Sequence, residues 1–228
     1  MKKIILGLAL LAAALPALAA QPETELTADK IVYDSKASTV EASGAVVMKR
    51  ETAKINCDNL LYHTKSEDFT ATGNVHGTDV NRSFRSDKVE GNAKTKVITA
   101  TGNVYIKDGE TTVEGGQVFA DDSKGYAKAT INPKVTNKGS VITGNVLEVF
   151  NKGEKMEADG NVVITSEQGN GSGDHAVYYQ KEGKAVLSGN AVVKKDGHTL
   201  KGPKIVMHTL ENNERQVETE GRSRLIIE

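Results

Sequence analysis

Apolar and polar side chains alternate with a period of two along most of this chain, as in Val104-Tyr105-Ile106-Lys107 and Val162-Val163-Ile164-Thr165. Alternation at that period turns one face of a strand inward and the other to water. Outside the first twenty residues no window carries the 3.6-residue apolar stripe of an amphipathic helix. The pattern predicts an all-β protein.

The alternation is itself repeated. Gly73-Asn74-Val75, Gly102-Asn103-Val104, Gly160-Asn161-Val162 and Gly189-Asn190-Ala191 recur, with Gly44-Ala45-Val46 as a variant. Their starts at 44, 73, 102, 160 and 189 step by 29 or by twice 29. The absent member falls at Ile131-Asn132-Pro133, which keeps the Asn and loses the Gly. Other columns hold across the six units. Thirteen residues after each anchor the residue is small: Cys57, Ser86, Gly115, Gly144, Gly173, Gly202. Sixteen after, it is apolar: Leu60, Val89, Val118, Leu147, Ala176, Ile205. Ala28-Asp29-Lys30-Ile31-Val32-Tyr33 is a half-unit that matches Cys57-Asp58-Asn59-Leu60-Leu61-Tyr62. Self-similarity at a fixed period is the mark of a repeat architecture.

Each unit is expected to hold about two strands, the first starting at the Gly-Asn anchor and the second carrying the column sixteen residues on. The anchor reads as a turn or bulge, because Gly and Asn both tolerate positive φ. Between the eleventh and sixteenth positions the apolar parity flips, so a bend or bulge must absorb one residue at the small column. Pro133 cannot donate to a ladder and marks an irregularity or an edge. Residues 166–174, Ser-Glu-Gln-Gly-Asn-Gly-Ser-Gly-Asp, read as a loop. About 13–16 short strands in such register predict a β-jelly roll or a two-sheet β-solenoid-like stack built from the 29-residue repeats. With one strand per unit in each sheet the stack would rise about 4.8 Å per unit, roughly 30 Å in all.

Composition narrows the setting. Lys2 and Lys3 precede the apolar run Ile4–Leu15, which Pro16 breaks before Ala17-Leu18-Ala19-Ala20. That is the design of a secretory signal peptide over 1–20, leaving 21–228 as a single exported domain; the rival reading of the same run is an uncleaved anchor, against which its shortness and its small-residue end both count. Cys57 is the only cysteine, so there is no internal disulfide framework. Basic and acidic residues number 29 and 30, which leaves no electrostatic footprint for nucleic acid. Trp is absent and aromatics make up 4%, which disfavours a sugar site built on stacked rings.

Catalytic, cofactor and metal sites are not expected. His63, His76, His175, His198 and His208 form no close ligand pair, and Cys57 occupies the small-residue column. Asp29, Asp58, Asp87 and Asp174 recur beside that column, as a turn-forming side chain does and a catalytic one need not. Asp121-Asp122 and Asp108-Gly109-Glu110 lack the spacing of a calcium loop and read as turns.

The run Ala28-Asp29-Lys30-Ile31-Val32-Tyr33 through Gly44-Ala45-Val46 resembles the OstA-like module of the LptA/OstA family of lipopolysaccharide transport proteins. So does the run from Gly189-Asn190-Ala191-Val192-Val193 to Met207. The likeness covers about 25–225. It implies a β-jelly roll whose sheets splay into an apolar groove for the acyl chains of lipid A. It further implies a periplasmic location, assembly edge to edge into head-to-tail homo-oligomers, and LptC-like and LptD-like partners. No catalytic residue is carried over.

On this reading the groove would be lined by Val46, Met48, Leu60, Val89, Val104, Ile106, Val118, Val135, Leu147, Val162, Ile164, Val193 and Ile205. The same columns would be the ordinary core of any two-sheet protein, so pattern alone leaves groove and core open. Ile31 and Tyr33 at one end, and Leu225 and Ile227 at the other, would sit on edge strands. Unpaired strand edges invite a further strand. Two functions follow: a lipopolysaccharide carrier, or a structural or adhesive β-solenoid with a filled interior.

Overall fold

The computed structural model describes residues 24–167, 169–209 and 215–227. The leader expected over 1–20 lies outside them. The first strands are β1 (Thr24–Thr27), β2 (Lys30–Asp34), β3 (Thr39–Arg50), β4 (Ala53–His63), β5 (Asp68–Asp79), β6 (Arg82–Asn92), β7 (Val97–Asp108) and β8 (Thr111–Asp121). Next come β9 (Tyr126–Thr130), β10 (Lys134–Asn137), β11 (Ser140–Thr143) and β12 (Val146–Phe150), then a single 3-10 turn at Asn151–Gly153. The last are β13 (Lys155–Ser166), β14 (Gly169–Tyr179), β15 (Lys184–Lys195), β16 (His198–Thr209), β17 (Arg215–Glu220) and β18 (Arg224–Ile226). The described residues form an all-β jelly roll with no α-helix among them.

Every pairing is antiparallel, and each long strand pairs with its neighbours in the chain. Four of the long strands are broken in two: β1/β2, β9/β10, β11/β12 and β17/β18. β1 pairs with the second half of β3 and β2 with the first half, and β8 holds β9 and β10 in the same way. The eighteen segments thus form fourteen rungs.

The anchors lie in the middle of strands rather than at their starts. In β3 the register jumps between Ser43 and Val46, so Gly44 and Ala45 stand opposite Asp58 alone. Gly73-Asn74 in β5, Gly102-Asn103 in β7, Gly160-Asn161 in β13 and Gly189-Asn190 in β15 interrupt the ladder alike. Two positive φ angles in succession, 77° at Gly73 and 47° at Asn74, make the bulge. The chain turns a corner there, so one rung contributes to both walls of the roll. The expected rise per unit is corrected accordingly: 29 residues supply two rungs, about 9.5 Å, and fourteen rungs span about 60 Å. Period-two alternation shows which way a side chain points but not where pairing begins, which is why the strands are longer than the sequence reading gave them.

The loop expected over 166–174 is also corrected, because all of it from Gly169 on belongs to β14. Gly171 and Gly173 look like punctuation in the sequence. In the fold they occupy the inward and corner columns of a strand held on both sides by β13 and β15. The irregularity expected at Pro133 is present, since β9 ends at Thr130 and β10 starts at Lys134.

Both halves of each rung turn their apolar face inward. In β4 the inward set runs Ile55, Cys57, then Leu60, Tyr62, and the parity change falls at Asp58-Asn59. One core cluster joins both walls from Ala42 to Ile205. Full burial of a Val, Leu or Ile side chain contributes about 1.5–3 kcal/mol, which makes this seam the main stabilising feature of the roll.

Candidate functional site

The corner columns form the spine of the interior. A Cβ added to Gly73 would lie 2.2 Å from Oδ2 of Asp58, and the same holds for Gly102 against Asp87 and Gly189 against Asp174, at 2.1 and 2.4 Å. The carboxylate occupies the space a side chain would need, and it accepts a hydrogen bond from the following Asn. Asn74 Nδ2 donates to Asp58 at 3.1 Å, Asn103 to Asp87 at 3.0 Å, and Asn190 to Asp174 at 2.9 Å. The recurring aspartates are structural, but they are mid-strand posts that hold the corner of the neighbouring strand rather than the turn-formers expected. Asn145 takes the same post in the fourth unit and receives Asn161, a member the Asp column alone did not reveal.

The small column has an equally plain cause. A Cβ at Gly115, Gly144 or Gly173 would come within 3.0–3.2 Å of a carbonyl oxygen of the neighbouring strand. Cys57 shares that column and is buried. Burial, with a smaller contribution from Asp58, pushes its thiol up to about 11. It stays protonated at neutral pH, which removes its nucleophilic form.

Of the residues predicted to line the interior, Val46, Met48, Leu60, Val89, Val104, Ile106, Val118, Leu147, Val162 and Ile205 are buried. Val135, Ile164 and Val193 point inward and are partly exposed. All thirteen share one apolar face. Neighbours of opposite parity face out: Val163 is 47% exposed, and the Arg85 guanidinium stacks 4.8 Å from the Tyr105 ring centroid. Two surface clefts, of about 710 and 390 Å³, lie at the lip formed by the hairpin ends of β5–β8 and on the outer face of β2–β5. Neither runs along the interior.

The sequence reading missed how the interior is filled. Gly77 pairs with Phe84 across the β5–β6 hairpin, and the Phe84 ring takes the space Gly77 leaves empty. A small residue opposite a large one, placed symmetrically about a hairpin turn, was the available signal.

The four residues predicted for edge strands stand at the two ends of the stack. Ile31 and Tyr33 in β2 are 47% and 66% exposed, and Leu225 in β18 and Ile227 just beyond it are 58% and 72% exposed. They occupy inward columns that no further rung covers among the described residues.

Polar clusters elsewhere are structural. The Asp121 carboxylate accepts from the Ser123 hydroxyl, from the Lys124 ammonium at 2.9 Å and from the Lys124 backbone amide, and these bonds, Ser123 first and the ammonium second, draw it down to about 2. Burial and the Glu148 carboxylate, which accepts from its hydroxyl, push Tyr126 up to about 12. His175 Nδ1 lies 2.5 Å from Asp159 on the outer side of the corner. Among the described residues no group of three His, Cys, Asp or Glu is placed to hold a metal.

No curated protein matches the chain. LptH of Pseudomonas aeruginosa, described as the LptA homologous periplasmic component of the lipopolysaccharide transport device, is a similar solved structure. It has 20% identity, covers 52% of this chain and 94% of its own, and superposes with a TM-score of 0.44. The model of the family described as LptA/(LptD N-terminal domain) LPS transport protein matches residues 83–213. That is more than half of the sequence, from β6 through β16, and the chain belongs to this lipopolysaccharide transport family.

Proposed function

We propose that this protein is a periplasmic, non-enzymatic carrier that shields the acyl chains of lipid A inside its roll while lipopolysaccharide moves toward the outer membrane. The observation that carries the reading is the continuous apolar face that fourteen rungs turn inward, in a chain of this family. Each acyl CH₂ taken out of water is worth about 0.8 kcal/mol, so a trough of Val, Ile and Leu repays entry of a long chain without any specific polar contact. The leader over 1–20 would direct export and be removed. The exposed end strands β1/β2 and β17/β18 would pair edge to edge with further copies and with LptC-like and LptD-like proteins, through Ile31, Tyr33, Leu225 and Ile227.

A second reading, a structural β-solenoid with a filled interior, is favoured by one observation: most of the inward residues are buried by the protein's own side chains. Photo-crosslinking separates the two. A photoreactive residue is placed in cells at Ile164, on the inner face, and separately at Val163, on the outer face. Lipopolysaccharide adducts at Ile164 and not at Val163 are expected. No adduct at either, in an exported and folded protein, would establish the filled solenoid instead.

A further inference from the structure

The inward columns are unevenly sealed along the stack. In β4–β7 the inward residues Ile55, Tyr62, Phe69, Phe84, Ile98 and Ile106 are all 4% exposed or less, with the Phe84 ring seated over Gly77. From β9 onward the outer inward positions hold Val135, Ile142, Ile164, Val193, Leu200 and Met207, and every one is partly exposed. Here the glycine that pairs with Ile164 and Val193, Gly171, has no aromatic ring over it, and its nearest side-chain neighbours are Leu187 and Ile164. Leu26, Ala28, Val40 and Ala53 are partly exposed as well; the first three lie in the first two rungs, where the described stack ends, and Ala53 is the first residue of β4, at its hairpin turn.

Charge divides at the same place. Residues 127–207 carry eleven lysines against eight carboxylates, whereas 24–126 carry thirteen basic against sixteen acidic side chains. Lys194 and Lys195 stand on a hairpin at one lip of this stretch, with Asp196 3.7 Å from Lys195, and Lys181 and Lys184 stand at the other, with Glu154 2.7 Å from Lys181. A partly exposed apolar inner face in a stretch with three more lysines than carboxylates matches an amphiphile that has several acyl chains and an anionic headgroup, because the chains leave water while the phosphates meet the excess positive charge.

We infer that lipopolysaccharide is held in the half of the roll between Ala127 and Met207, and that Phe84 on Gly77 closes the other half to it. This rests on the carrier reading and assigns the ligand a place within it. The stretch from β4 to β7 is then a plug, and an acyl chain passes it only if the Phe84 ring leaves Gly77.

The test uses single cysteines in a Cys57→Ser background, with folding checked by circular dichroism. Val193→Cys and Leu200→Cys report the open half, and Ile55→Cys and Ile106→Cys the sealed half. A maleimide is expected to label the first pair at least tenfold faster. Purified lipopolysaccharide should slow that labelling tenfold, and phosphatidylglycerol should not. Adding Phe84→Ala should make Ile106→Cys reactive and protectable. Equal labelling and equal protection at both pairs would overturn the inference and leave the carrier reading standing. So would unprotected labelling at Val193→Cys while the wild-type protein still co-elutes with lipopolysaccharide, and equal protection by phosphatidylglycerol would overturn the assignment of ligand. If the wild-type protein retains no lipopolysaccharide, both fall.

Discussion

At the scale of single residues the corner is the feature that tolerates least. Gly73 has φ 77° and no room for a Cβ beside Asp58. Gly73→Ala is expected to lower stability by about 1–3 kcal/mol, from left-handed strain and the clash together. In a double-mutant cycle with Asp58→Ala the two losses should fall short of additivity, because the clash vanishes with the carboxylate; full additivity in urea melts would refute the assigned contact. Ile131 shows the converse. It stands at the anchor column with φ 61° and its side chain 61% exposed, where a β-branched residue is strained. Ile131→Gly should raise the melting temperature by a few degrees, a gain of about 1 kcal/mol. Asp121 supplies a pH dependence. Its folded value of about 2 lies below the ordinary 3.8, so its contribution is complete above about pH 4 and is lost as pH falls toward 2. Asp121→Asn should flatten the acid unfolding curve in that window only.

Strands and hairpins show what the sequence could and could not disclose. The columns at Gly73, Cys57 and Asp58 were legible because backbone geometry dictates residue type there: positive φ, a close carbonyl, a post that accepts a hydrogen bond. The inward parity of Ile106 and Ile164 was legible for the same reason, since period two fixes the face. The extent of each strand was not, because alternation continues through the corner and nothing in β3 distinguishes its middle from its start. The Gly-rich stretch of β14 was misread because a glycine's own propensity is weak beside the pairing its neighbours impose. The uneven sealing was hidden because exposure depends on what lies across the roll. Packing at this scale is testable at Leu187, which is 0% exposed in the seam between β14 and β16. Leu187→Ala should cost about 2–5 kcal/mol with little change in the urea m-value; a cost under 1 kcal/mol would mean the seam is loose there.

Across the whole molecule, the two ends decide what the roll can join. Among the described residues, the strands of Tyr33 and Leu225 pair on one side only and expose apolar side chains, a combination that proteins normally blunt with charge. Tyr33→Arg together with Leu225→Arg is expected to leave the fold intact and shift the mass seen by light scattering toward the monomer. An unchanged distribution would place any self-association elsewhere. The repeat also allows the body to be shortened without touching either end. Deleting 73–101 removes one unit of two rungs and rejoins matching columns, so the shortened chain should fold, with a urea m-value reduced in proportion to the surface lost.

Because almost every strand finds its partner in the next stretch of chain, a growing or emerging polypeptide need not wait for its far end before it takes shape. Each new hairpin can settle on the one before it, as in other stacked repeats, and the loop each must close is only a turn long. A chain that enters its compartment one end first can therefore be ordered behind while it is still threading ahead, and at each step the unprotected edge is the length of a single rung.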